Sequence, residues 1–188
     1  MSFTTPSLEN VICIDFEASS LGRRSFPIEV AIADVTAGTV RAWLIRPAPL
    51  WLAAGTWSED SEAMHGLSLA KITEEGLPAG TVAQELDHAL AGKTVLSDNA
   101  GYDQAWLETL CTAGQRIPSC AIADFARFAA ALAEAQGRRA DIALMKAETE
   151  AQSLFPQRHR AGPDARRNAE ILRQIAGGRR PAAGEAGM

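Results

Sequence analysis

The chain has 188 residues, 47% hydrophobic and 22% charged, with a net charge of −5 and an isoelectric point near 5.2. That length allows one domain with a substantial core, and no apolar run approaches the roughly 20 residues of a membrane-spanning helix. The acidic balance argues against a protein that coats long duplexes through many Lys and Arg contacts to phosphates.

Residues 1–10 are polar and lack a basic start followed by an apolar stretch, so no secretory signal is read and a cytoplasmic location is expected. The run Val11-Ile12-Cys13-Ile14-Asp15-Phe16 is apolar at nearly every position, which suits a central strand covered on both faces. Cys13, Cys111 and Cys120 form no C-x-x-C pair and read as free thiols acting as small hydrophobes. Residues 28–35 and 39–45 follow as strands, and Thr36-Ala37-Gly38 between them suits a hairpin. Pro47 and residues 51–55 break the pattern.

Residues 81–90 read as a helix, 94–97 as a short strand, and 101–113 as a helix stopped by Gly114. A strand-like piece around Ala121 leads into an Ala-rich helix over 125–136, and a further helix covers 142–154. The last helix starts near Pro163, a residue suited to the first helical position, and ends before Gly177-Gly178. Residues 177–188 are expected to be a flexible tail behind a single domain over 1–176. There is no internal repeat. A hairpin followed by alternating helices and strands predicts an α/β domain with a mixed sheet flanked by helices.

Three sets of acids sit where acids are unusual. In a strand, residues two apart share a face, so Asp15 and Glu17 project side by side at the end of a buried run. Unpaired charge is costly there, although a strand emerging into solvent produces the same pattern. Asp103 is in phase with the apolar stripe Trp106, Leu107 and Leu110, and Asp164 with Ile171, Leu172 and Ile175. An acid in a first turn is also favoured simply by the helix dipole. His159 lies five residues before Asp164 on the approaching loop. Taken together, clustered hard oxygens suit Mg²⁺ or Mn²⁺. Such ions activate water at a phosphodiester, with a near-neutral His to take the proton.

These residues resemble the DEDDh family of 3′→5′ exonucleases, which includes oligoribonuclease, RNase T and polymerase proofreading subunits. The first motif is Ile14-Asp15-Phe16-Glu17-Ala18-Ser19-Ser20-Leu21-Gly22, and Pro27 to Val35 is similar to the family's second strand. Met64-His65-Gly66-Leu67 resembles the H-G-I/L segment between the first two motifs. Asp98-Asn99-Ala100-Gly101-Tyr102-Asp103, followed by Trp106-Leu107, is the second motif, and His159 to Ala165 gives the H-x₄-D spacing of the third.

The resemblance implies an RNase H-like fold with a five-stranded mixed sheet: a three-stranded antiparallel meander plus parallel strands. It also implies two divalent cations, Mg²⁺ or Mn²⁺, held by Asp15, Glu17, Asp103 and Asp164, with Asp15 bridging and His159 as general base. Ser19, Ser20, Leu21, Asn99, Tyr102 and, less directly, His65 match positions near the terminal nucleotide. The implied partner is a single-stranded nucleic-acid 3′ end, DNA or RNA, with nucleoside 5′-monophosphates as products. No membrane is implied, and a homodimer is compatible. Two departures bear on substrate preference: Asp98 stands where many relatives have His, and Gly101 loosens the first turn of its helix. Two other readings use the same residues, namely a hydrolase of very short oligonucleotides or modified ends, and a non-catalytic module that binds nucleic acid or protein.

Overall fold

The apolar run near the start of the chain becomes strand β1 (Val11–Ala18), buried at every position except Asp15 and Glu17. A computed structural model of the protein describes residues 6–157 and 159–177. β1 pairs antiparallel with β2 (Pro27–Asp34), and β2 pairs antiparallel with β3 (Val40–Arg46), the meander expected from the hairpin signal. Three shorter strands follow: β4 (Leu77–Pro78), β5 (Thr94–Ser97) and β6 (Ile122–Asp124). β5 lies parallel to β1 and β6 parallel to β5, giving the order β4-β3-β2-β1-β5-β6. β1 thus has a strand on each edge, and helices cover both of its faces, as its nearly unbroken apolar character requires.

The sheet has six strands where five were expected. The extra one, β4, is two residues long and adds to the outer edge of β3 through Ile45↔Leu77 and Arg46↔Pro78. A two-residue strand has no alternation to read, and a proline is tolerated there because the edge needs no further donor.

Between β3 and β4 the chain forms three short helices that periodicity did not predict: α1 (Pro49–Ala54), α2 (Glu59–His65) and α3 (Leu69–Glu75). Each is about two turns or less, too short for an apolar stripe. Their starts are nonetheless written in the sequence. Ser58 accepts the Ser61 N–H and Ser68 the Lys71 N–H, so each hydroxyl satisfies a donor of a first turn.

The longer helices are α4 (Ala79–Leu90), α5 (Ala100–Ala113), α6 (Phe125–Glu134), α7 (Ala140–Leu154) and α8 (Ala161–Ile175). α8 begins two residues before Pro163, because Arg160 supplies the extended cap residue. Of the expected tail only Gly177 lies among the described residues. No helix among them is long and apolar enough to cross a membrane.

The two faces of the sheet bury different cores. Ile12, Ile14, Phe16, Val30 and Ile32 pack with residues of α4 and α5. On the other face Val11, Cys13, Ala31 and Ala33 pack with α6, α7 and α8. By strand alternation Asp15 and Glu17 continue this second face, so they reach the end of β1 beside the start of α8. Ala161, Ala165 and Ala169 of α8 are at most 1% exposed and share this core with Ala31 and Ala33. Small side chains on both surfaces let the helix lie close to the sheet. Ala169→Leu is therefore expected to overpack the contact and lower stability by about 1–3 kcal/mol, read as a lower urea midpoint. An unchanged midpoint would show that the contact has slack.

Candidate active site

The carboxyl ends of β1 and β5 meet the amino ends of α5 and α8 at one edge of the sheet, the usual place for a ligand crevice in an open α/β sheet. The crevice is an open cavity of about 390 Å³ lined by Asp15, Glu17, Asp98, Asp103, His159 and Asp164, with Leu21, His65, Asn99, Trp106 and Arg167 around them. Within it, carboxylate oxygens of Asp15, Glu17 and Asp164 lie within 4.8 Å of one another, and so do those of Asp15, Asp98 and Asp103. Asp15 belongs to both trios.

Each acid is placed by a local device. Asp103 lies in the first turn of α5, where it accepts a hydrogen bond from the Ser97 hydroxyl; Ser97 in turn accepts the Asn99 N–H at 2.8 Å. This couples the end of β5 to the start of α5. Asp164 accepts the Arg160 backbone N–H at 3.2 Å and is ion-paired with buried Arg167 at 2.5 Å, one turn along α8. The approach to α8 is pinned by Glu29, an acid buried in β2 directly opposite Glu17. Glu29 takes a bidentate pair from the Arg160 guanidinium at 2.9 and 2.6 Å and the Ala161 N–H at 3.0 Å. His159, just before this anchor, is exposed to the cleft and held at φ 59°, a left-handed backbone uncommon for a non-glycine residue. Strain of that kind persists only where surrounding contacts over-determine it, and the Glu29–Arg160 pair is one such contact.

Crowding dominates the electrostatics. Burial, then the neighbouring charges of Asp103, Glu17, Asp164 and Asp98, pushes the Asp15 carboxyl well above its ordinary value. Glu17 is pushed up to about 8 by burial and then by Asp164 and Glu29, with Arg160 opposing. Asp103 is pushed up to about 7, again by burial first, with the Ser97 hydrogen bond opposing and Asp98 adding to the rise. Like charges that resist ionising together are what bound cations would relieve. The donors are all hard oxygens and the two trios share one residue, a fit to a pair of Mg²⁺ or Mn²⁺ ions.

Of the residues singled out from the sequence, Asp15, Glu17, Asp103, Asp164, His159, Leu21, His65 and Asn99 come together on this cleft. Ser19, Ser20 and Tyr102 do not line it. Ser19 is fully buried and its hydroxyl accepts the Phe26 N–H at 3.0 Å, while the Ser20 hydroxyl accepts the Gly22 N–H at 3.4 Å. Both shape the loop that presents Leu21. Tyr102 is 44% exposed and packs on Trp106, with ring centroids 5.5 Å apart. His65 accepts the Leu67 N–H at Nδ1, which leaves the ring proton on Nε2, a buried atom without an ordinary hydrogen bond; burial lowers its pKa.

Sequence reasoning passed over four contributors. Asp98, read only as a departure, stands within reach of Asp15 and Asp103 as a fifth carboxylate. Ser97, Glu29 and Arg167 were not singled out at all. Glu29 carried a signal, an acid in the middle of an apolar strand. Ser97 and Arg167 carried none, because their partners are set by tertiary packing.

Two outcomes follow for the protein without metal. Glu17 and Asp103 keep protons in the folded state, up to about pH 8 and about pH 7, that the unfolded chain loses above about pH 4, and Asp15 is shifted in the same direction. Stability contributed by these groups therefore falls as pH rises through that range. In EDTA the melting temperature is expected to be higher at pH 5 than at pH 8, and Mn²⁺ should raise it more at pH 8, because the oxygens must shed protons to bind metal. A rise in the metal-free melting temperature from pH 5 to pH 8 would contradict the crowding. Separately, Glu29→Ala should cost roughly 2–3 kcal/mol, the scale of charge-assisted hydrogen bonds, measured by urea unfolding. A loss under about 0.5 kcal/mol would reduce the pair to an ordinary surface salt bridge.

No protein-family profile matches this chain, and no curated protein sequence does. Solved structures do. E. coli exonuclease I, in complex with a dA16 oligonucleotide, superposes with a TM-score of 0.65 at 12% identity, covering 88% of this chain and 41% of that one. A 3′-exonuclease that recognises the 3′ end of a histone mRNA stem-loop gives 0.61 at 13% identity, covering 89% and 64%. S. pombe Pop2p, in a form with Mg²⁺ and Mn²⁺ bound, gives 0.58 at 18% identity, covering 88% and 82%. The chain spans about two fifths of the length of the exonuclease I structures it matches. At these identities what is shared is the fold, a mixed α/β sheet flanked by helices.

Proposed function

We propose that the protein is a metal-dependent 3′→5′ exonuclease of the DEDDh type, releasing nucleoside 5′-monophosphates. The observation that carries this reading is the pair of carboxylate trios sharing Asp15 in one open cleft with His159 exposed on its wall. The likeness in fold to exonuclease I seen with a dA16 oligonucleotide, and to Pop2p seen with Mg²⁺ and Mn²⁺, supports it.

Asp15, Glu17 and Asp164 would hold one cation, and Asp15, Asp103 and Asp98 the other. Two such ions supply an activated water and charge stabilisation for the departing oxygen of a phosphodiester. The chain's own residues do the rest. His159, exposed on the cleft wall, takes the proton from the attacking water. The new P–O bond forms as the bond to the upstream 3′-oxygen breaks; the departing oxygen takes a proton from solvent to become the 3′-hydroxyl of the shortened strand, and the released nucleoside carries the 5′-phosphate. Glu29 and Arg160 hold the His159 backbone in place, and Leu21, His65 and Asn99 offer an apolar edge and polar groups to the terminal nucleotide.

A second reading keeps the same chemistry but confines it to very short oligonucleotides or modified ends. A cleft of about 390 Å³ ringed by acids favours it, since such a cleft suits one nucleotide more than a long polyanion.

The test uses 5′-labelled single-stranded DNA and RNA, as dimers and as longer strands, with Mn²⁺ or Mg²⁺ and with EDTA. Shortening from the 3′ end that needs metal is expected. His159→Ala should lower kcat by about 10²–10⁴-fold with metal affinity kept, whereas Asp15→Ala should abolish turnover and weaken Mn²⁺ binding. Cleavage of dimers alone would select the second reading. Unchanged turnover in Asp15→Ala would overturn both.

A further inference from the structure

The loop between β1 and β2 carries two adjacent arginines, Arg23 and Arg24, that lie outside the cleft. The Gly22 carbonyl accepts the Ser25 N–H at 3.0 Å, so the pair occupies the two central positions of a four-residue turn. Both are exposed, and neither side chain has a hydrogen bond or ion pair among the described residues. Arg41, Arg116, Arg139, Arg160, Arg167 and Arg173, by contrast, are each paired with a carboxylate. In a chain with a net charge of −5, two adjacent cations left without a carboxylate are available to an outside anion.

The turn is fastened from both sides. Ser25 Oγ accepts the Trp106 indole N–H at 2.9 Å, and the Arg24 carbonyl accepts the Thr56 N–H at 3.0 Å. At the base of the loop the Ser19 hydroxyl accepts the Phe26 N–H, and the Ser19 carbonyl accepts the Ser58 N–H at 2.8 Å. Leu21 and Trp106, on either side of the turn, both line the cleft. Arg23 is two residues from Leu21, a chain distance of at most about 7 Å, so the arginines stand on the rim. Because the backbone is already fixed, binding here orders little more than two side chains.

Charge around the mouth favours this side. Exposed Asp98 stands just after β5, and Glu59 and Asp60 are exposed in the first turn of α2, next to Ser61 on the cleft wall. Inside, the carboxylates of Asp15, Glu17, Asp98, Asp103 and Asp164 are no more than balanced by two divalent cations and Arg167. The cleft itself therefore has little net attraction for any phosphate beyond the one being cut. Resting on the exonuclease reading, we infer that the turn from Gly22 to Ser25 is a docking surface for a single strand, with the two guanidinium groups on backbone phosphates upstream of the scissile one. Contacts to phosphate carry no base preference. They widen the substrate class from dinucleotides to strands of several nucleotides.

The experiment measures kcat/KM with Mn²⁺ on a dinucleotide bearing a free 5′-hydroxyl and on a longer strand, over a range of salt concentrations. The proteins are the wild type, Arg23→Ala/Arg24→Ala and Arg23→Lys/Arg24→Lys. The dinucleotide's single phosphate is the scissile one, so it has none to offer the turn, and the quantity read is the ratio of longer strand to dinucleotide. Each phosphate contact with a single strand contributes about 0.7 to the slope of log affinity against log salt. The alanine pair should therefore make the slope for the longer strand shallower by about 1.4 and lower the ratio about 25-fold at about 0.1 M salt. The lysine pair, which keeps the charge, should retain most of both. A ratio and slope that stay at the wild-type values in the alanine pair overturn the surface and leave the exonuclease reading intact, and so does cleavage of the dinucleotide alone. If the wild type cuts neither substrate, the exonuclease reading fails, and fluorescence anisotropy of the labelled longer strand in EDTA decides the surface itself. Binding weakened in the alanine pair and kept in the lysine pair supports it, and equal or absent binding overturns it.

Discussion

Everything at this end of the sheet depends on one constraint: Asp15 and Glu17 are acids at the end of a strand whose other residues are buried hydrophobes. The Asp15 carboxyl is desolvated and faces four other carboxylates: Glu17 on its own strand, Asp98 just after β5, Asp103 on α5 and Asp164 on α8. A site of this kind works against the stability of the bare protein, since each added acid raises the cost of ionising the rest. The fold accommodates it by placing the acids at the open end of the sheet, where the cleft admits solvent and ions, above two clusters of buried apolar side chains.

The second requirement is that the acids be held without being neutralised. Glu29 meets it from one side. Opposite Glu17 in the strand ladder, it would be another repelling charge, but it engages Arg160 and the first amide of α8. That turns a liability into the fastening that carries His159 and Asp164 to the cleft. Ser97 performs the corresponding task for Asp103 through a single hydroxyl that donates to the acid and accepts from the backbone. Arg167 counters the charge of Asp164 from the wall of the cleft.

Much of this was legible from residues whose signal is local. The strand alternation that puts Asp15 and Glu17 on one face needs no knowledge of the fold, and the unbroken apolar run announced β1 as central. Asp103 and Asp164, in phase with the apolar stripes of their helices, were readable for the same reason. The short helices between β3 and β4 were not, because two turns carry no stripe, although Ser58 and Ser68 marked their starts. Nor was β4, whose pairing depends on where β3 ends. Ser19 and Ser20, grouped with the substrate contacts by resemblance, accept backbone N–H groups of their own loop. Contacts made by a hydroxyl with its neighbours in space leave no periodic trace in the sequence.

The central claim is that Asp15 is shared between two cation sites. It is tested most directly by anomalous scattering from crystals of the protein soaked in Mn²⁺. The account predicts two peaks flanking the Asp15 carboxylate, one against Glu17 and Asp164 and the other against Asp103 and Asp98. Manganese bound elsewhere, or no peak touching Asp15 at a pH where the carboxyls are ionised, would contradict it.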